Sequence, residues 1–171
     1  MAERRTRPSA VALVAALAGA VLLVVSAFLV WGSLDIGIGT ISEKGTDSSA
    51  GVAVIVLAVG VVAVLVGSFA RLPRRFVRGA WALFGVAAIG LGIYALIQIN
   101  NAPTDFFAGV TSAIKDSGVS GLLGNLGIDQ KTVKDAASQI VSVNYGPGVF
   151  VAMAGGVATL VAALALNRRE G

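Results

Sequence analysis

Residues 50–78 read AGVAVIVLAVGVVAVLVGSFARLPRRFVR. No charge falls between Ala50 and Ala70, and then Arg71, Arg74, Arg75 and Arg78 arrive together. Crossing the hydrocarbon core of a bilayer takes roughly 20 apolar residues as a helix. Valine is a poor helix former in water. In hydrocarbon, however, the backbone must satisfy its own hydrogen bonds, and a helix does so within one segment. Buried strands, the other home of valine runs, are much shorter. The stretch therefore predicts a membrane-spanning helix that ends at an arginine-rich turn.

Three further runs have the same character. The spans are expected at about 9–34, 50–70, 76–99 and 147–166, with no charge inside them beyond Arg78 at the start of the third. Across all 171 residues, 56% are hydrophobic and 13% charged, against about 25% charged in an average soluble domain. The mean hydropathy is +0.87. The fold class predicted is an all-α membrane protein: a four-transmembrane-helix bundle with a small helical extracytoplasmic cap between spans three and four.

The charges fall into two groups. All nine arginines lie at the N-terminus, in the turn between spans two and three, or at the C-terminus; less Glu3 and Glu170 they leave +7 on that side. All four lysines lie in the two other loops with seven carboxylates, which leaves −3 there. The positive-inside rule then predicts cytoplasmic termini and outward loops at about 35–49 and 100–146, in a multi-pass protein of the plasma (inner) membrane. The pI of about 10 is thus a topology signal, and anionic lipid headgroups are the expected partners of Arg71, Arg74, Arg75 and Arg78. Nucleic acid is not expected as a partner of so short a turn. MAERRTRPSA resembles the basic region of a signal peptide, but the apolar run behind it exceeds the usual 7–15 residues and no clear A-x-A site follows. An uncleaved first span is expected, with Pro8 and Ser9 near its start.

Aromatic residues near the span ends (Trp31, Phe69, Phe76, Trp81, Tyr94, Tyr145 and Phe150) suit an interfacial belt. Small residues recur at every fourth position: Ala12, Ala16 and Ala20; Ala88 and Gly92; Gly148, Ala152 and Gly156; and Gly155, Thr159 and Ala163. Such spacing lets helix backbones approach closely, within one chain or between chains. Span four is almost entirely small, so Gly148, Ala152 and Gly156 are candidate contacts for a partner helix. Ser26, Ser68 and Thr159 are expected to bond their own helix backbones. Mid-membrane Asp, Glu, Lys and Arg, the usual mark of a proton or ion pathway, do not occur in the spans.

The second outward loop is too long for a bare connector. Thr104 after Pro103 suits a helix N-cap, with Phe107, Val110 and Ile114 on one face and Phe106 beside them. A second helix is expected over DQKTVKDAASQIVSV, capped by Asp129. The oily face Phe106, Phe107, Val110 and Ile114 is a candidate contact with the bundle, the outer leaflet or another protein. In the first loop, Ile36, Ile38 and Ile41 between glycines and Thr40 suggest a short hairpin or an extended edge.

The chain lacks Cys and His, which removes thiol nucleophiles, imidazole bases and most zinc or haem chemistry. Neither a cofactor nor a metal is expected. GIGIGT has no following Lys-Ser/Thr and is not a phosphate loop. Ser117, Lys115 and Asp116 read as a solvated cluster, and no enzymatic activity is expected.

A short outer loop, a cytoplasmic turn and a larger outer loop together resemble the tetraspan layout of tetraspanins and claudins, without the Cys-Cys-Gly motif or paired cysteines; Trp31-Gly32-Ser33-Leu34 echoes the claudin loop. The Ala/Val/Gly/Arg-rich style resembles small actinobacterial membrane proteins. The resemblance implies an accessory subunit of a channel, transporter, lipid importer or envelope machine. The expected function is a non-catalytic accessory or regulatory subunit of a larger plasma-membrane complex; the alternative is a small homo-oligomeric transporter or channel.

Overall fold

The computed structural model describes residues 9–35, 39–69, 72–116 and 142–167. Four helices are long and apolar enough to cross a membrane, as expected of a multi-pass membrane protein. They are α1 (Ala10–Phe28), α2 (Ser49–Phe69), α3 (Arg74–Asp116) and α4 (Pro147–Asn167). Three short strands, β1 (Val30–Asp35), β2 (Thr40–Lys44) and β3 (Ser142–Tyr145), gather at one end, which we call the sheet end. The opposite end, where α3 begins, carries Arg74, Arg75 and Arg78.

The helices form a closed ring in which α1 packs on α2, α2 on α3, α3 on α4 and α4 on α1. Neighbours run antiparallel because each connection turns the chain back. Helix α1 starts at Ser9, whose hydroxyl accepts from the Ala12 N–H at 3.1 Å. Valines on the outer faces, such as Val14, Val56, Val86 and Val161, are exposed, while alanines and glycines, with Leu23, Val54, Val61 and Trp81, fill the inside. Water would penalise that distribution; lipid rewards it, since tails solvate valine as well as a protein core does.

Helix α4 is central because it is narrow on two sides. Its adjacent Gly155 and Gly156 face different neighbours. A Cβ on Gly155 would meet the Gly19 carbonyl oxygen of α1 at 3.0 Å, and one on Gly156 would meet the Gly85 carbonyl oxygen of α3 at 2.9 Å. The approach is mutual, since a Cβ on Gly19 would lie 2.9 Å from the Gly155 oxygen and one on Gly85 2.8 Å from the Gly156 oxygen. The hydroxyls inside the bundle bond their own helices, as expected: Ser26 to the Leu23 carbonyl at 2.7 Å, Ser68 to Leu65 at 2.6 Å and Thr159 to Gly155 at 2.9 Å.

Three expectations need correction. The fold is mostly helical but not all-α, because a three-stranded antiparallel sheet in the order β2-β1-β3 crowns one end. The first span stops at Phe28, not near residue 34, because Leu29 leaves helical geometry and the β-branched and aromatic residues after it pair as strand. Helix α3 does not stop near Ile99 for a fresh start at Thr104; it runs unbroken through Pro103 for 43 residues. Proline's fixed φ is helical; it lacks one N–H donor and its ring crowds the carbonyl four residues back, and the helix continues past it. At about 1.5 Å per residue the helix path is about 65 Å, twice the ~30 Å of a hydrocarbon core. The expected second cap helix lies mostly outside the described residues; its last two positions, Ser142 and Val143, are strand.

The glycine seams can be tested with two like substitutions. Gly156→Ala should lower stability by about 1–3 kcal/mol through overpacking against backbone. Gly90→Ala, where an added Cβ meets nothing within 4 Å, should be neutral or stabilising by up to about 1 kcal/mol. Thermal unfolding of both variants in one detergent checks the contrast.

Candidate functional site

The sheet end is organised around Trp31. Helix α1 closes when the Leu29 N–H donates to the Ser26 carbonyl at 3.2 Å, and the Trp31 Nε1–H donates to the same oxygen at 2.7 Å. A carbonyl that a helix end would leave unpaired thus takes two donors. The β1–β2 register slips between Val30 and Gly32, which makes Trp31 the extra residue of a β-bulge. Bulges re-aim side chains. Trp31 escapes the alternation that places Ser33 and Asp35 on one face, and turns into the bundle, where it is buried.

Three glycines make room for the indole and its backbone. A Cβ on Gly148 would fall 2.3 Å from Trp31 Cδ1, one on Gly45 2.6 Å from its Nε1, and one on Gly146 2.1 Å from the Val30 carbonyl oxygen. The Gly146 N–H donates to the Trp31 carbonyl at 2.9 Å, and the Gly45 N–H to the Leu29 carbonyl at 3.2 Å. The indole therefore ties the end of α1 to the β2–α2 turn and to the first turn of α4. Trp81 is also fully buried, so neither tryptophan belongs to an interfacial belt. Phe69, Phe76, Tyr94, Tyr145 and Phe150 are exposed, as a belt requires.

Of the hairpin and the extended edge expected in the first loop, the strands form the hairpin pairing, with Leu34 opposite Ile41 and Asp35 opposite Thr40; residues 36–38 lie outside the described residues. Alternation along the strands divides the sheet. Gly32, Leu34, Ile41, Glu43, Val143 and Tyr145 share the face toward α3, whereas Ser33, Asp35, Ser42 and Asn144 share the other. Against α3, a Cβ on Gly32 would touch Ile99 side-chain atoms at 3.0–3.2 Å. The Tyr145 hydroxyl donates to Asn100 Oδ1 at 3.3 Å. Between this face, the start of α2 and the middle of α3 lies a recess of about 680 Å³. Its apolar lining includes Leu34, Ile41, Ala50, Ala95, Ile99 and Val143, and its polar lining Glu43, Ser48, Gln98 and Asn101. Gln98 is oriented by its Nε2 donation to the Tyr94 hydroxyl at 2.9 Å.

The residues singled out in sequence scatter among three places. Phe106, Phe107, Val110 and Ile114 lie on the extension of α3 beyond Pro103, and their side chains are outside the described residues. Gly148, Ala152 and Gly156 are buried within the chain, Gly148 against Trp31 and Gly156 against Gly85 and Ile89. They are engaged by their own bundle and offer no face to a second chain. Arg71 is outside the described residues. The Arg74 guanidinium donates to the Leu166 carbonyl at the end of α4, where a cation also meets the negative end of the helix dipole. Arg75 and Arg78 are exposed. Among the described residues no cluster of Asp and Glu suits a metal ion.

Sequence reasoning missed the clamp and the recess. The signal available was Trp31-Gly32 at the end of an apolar run, together with the glycines at 45, 146 and 148. Comparison with protein-family models, curated proteins and solved structures gave no match.

The clamp sets two expectations. Trp31→Phe removes a buried hydrogen bond and leaves the Ser26 oxygen one donor short, which should cost about 1–3 kcal/mol. Trp81→Phe should cost less, because the Trp81 Nε1–H is buried with no acceptor among the described residues. Chemical or thermal unfolding of the two variants in detergent decides it.

Proposed function

We propose that this chain is a non-catalytic accessory subunit of a larger plasma-membrane complex. One observation carries the reading. Helix α2 is the least buried of the four spans, with 17% of its apolar window inside the bundle. Its open face repeats valine every seven residues, at Val52, Val59 and Val66, with Val56 and Val62 between them. Lipid asks only that a face be apolar; a seven-residue repeat of one β-branched type forms a regular ridge that suits a further helix. The interior supports the same reading, because α4 is pressed against the backbones of α1 and α3 and Leu23, Val54, Val61 and Trp81 are fully buried inside the bundle.

In this proposal the termini and the arginine end face the cytoplasm and the sheet end faces outward. The exposed Arg75 and Arg78 would meet anionic headgroups, each worth about 1 kcal/mol near such a surface. Arg74 serves the bundle instead.

A chain without Cys makes both parts testable with single introduced cysteines. Ser42→Cys on β2 should react with a membrane-impermeant maleimide in intact cells, and a cysteine added at the N-terminus should react only after permeabilisation. The reverse pattern overturns the orientation. Val59→Cys, carrying a photo-crosslinker in native membranes, should capture a larger membrane protein. Capture of only a second copy of this chain would favour the homo-oligomeric transporter or channel, and crosslinks to lipid alone would contradict a helix partner at this face.

A further inference from the structure

We infer that the recess beneath the sheet binds one membrane lipid by its acyl chain and an amine-bearing headgroup, as in phosphatidylethanolamine. This goes beyond the subunit assignment and does not depend on it. The position of the recess comes first. Ala50 and Ala95 line it and belong to the candidate spans of α2 and α3. Glu43 lines it from β2, and Gln98 and Asn101 line it one and two turns beyond Ala95 along α3. The cavity therefore runs from the apolar part of the bundle to the polar crown, along the line where a leaflet meets water. A molecule that fits must be apolar at one end and polar at the other, and the bilayer supplies such molecules at the mouth.

Size and wall chemistry agree. A volume of about 680 Å³ falls in the range of roughly 300–1,000 Å³ typical of sites for small ligands. Leu34, Ile41, Ile99 and Val143 offer dispersion contact to a chain, and Gln98 and Asn101 offer amide donors and acceptors. Ile41 stays 57% exposed on a strand whose neighbours are polar, which an acyl chain laid against it would relieve.

Charge selects the headgroup. Among the described residues of the wall Glu43 is the one that ionises, and the hairpin and its turn carry Asp35, Glu43 and Asp47 against Lys44 alone. That field attracts an ammonium group and disfavours a purely anionic head. The amine would sit at Glu43, with the phosphate toward water and the amides of Gln98 and Asn101.

The test uses the full chain in mild detergent after delipidation. It is titrated with lysophosphatidylethanolamine and lysophosphatidylglycerol that carry the same brominated chain. Trp31 lines the recess, so its fluorescence reports a chain that enters. Wild type should bind the amine lipid more tightly than the glycerol lipid. Glu43→Gln should shrink that preference by about two- to fivefold, the range of a partly exposed ion pair. Ile41→Asn, at a side chain that is mostly exposed, should weaken both lipids, and Ala95→Phe should abolish quenching. Val161→Asn, far down α4, should leave binding unchanged. Equal binding of the two lipids by wild type, a preference that survives Glu43→Gln, or quenching unaffected by Ile41→Asn would each overturn the proposal. So would a wild-type protein that takes up neither lipid because its own chain fills the recess.

Discussion

The architecture depends on two neighbouring glycines that look in different directions. Gly155 lets α4 lie against the backbone of α1 at Gly19, and Gly156 lets it lie against α3 at Gly85. In a membrane the usual hydrophobic drive between helices is absent, so close packing must supply the attraction. Small residues on both sides of one helix provide it twice. The ring α1–α2–α3–α4 then closes around a few larger side chains such as Leu23, Val54, Val61 and Trp81, and valines such as Val14, Val56, Val86 and Val161 face outward. Side chains even one carbon larger at the four glycines would separate the backbones and open the ring.

The sheet end follows from the same geometry. Because α1 and α4 run so close, the chain leaving α1 meets the chain entering α4, and β1 pairs with β3 over Gly32 to Asp35. Trp31 fixes this junction from within, with its indole bonded to the last turn of α1 and seated against Gly148. The bulge that turns Trp31 inward leaves the rest of β1 to alternate, and this produces a sheet with one largely apolar and one polar face. Since that apolar face rests on α3 only around Ile99 and Asn100, a recess remains beside it. The seam, the clamp and the recess are thus linked in order from the membrane interior to the crown.

The spans were legible in the sequence because the bilayer enforces length, hydropathy and helical hydrogen bonding at once. So were the caps and back-bonds of Ser9, Ser26, Ser68 and Thr159, which depend on neighbours within one turn. The strands were not legible. Leu29 to Leu34 is apolar enough to read as the end of a span, and only pairing with β2, beyond the turn, and with β3, more than a hundred positions away, makes it a strand. The recurrence of Gly148, Ala152 and Gly156 was visible, but spacing could not say which neighbour the small face serves; the ring assigns it to α1, β1 and α3. Arg74 likewise read as one of four surface cations, and only the meeting of α3 with the end of α4 reveals its carbonyl partner. Pro103 looked like a boundary because proline usually is one, yet the helix continues through it.

The most direct test of the central claim is a solid-state NMR correlation spectrum of the full chain in lipid, with 13C at glycine Cα. Close approach of α4 to both neighbours predicts short-range cross-peaks between Gly19 and Gly155 and between Gly85 and Gly156. A folded protein that lacks both would show that α4 is not seated between α1 and α3, and the account of the bundle and of the sheet end above it would fail together.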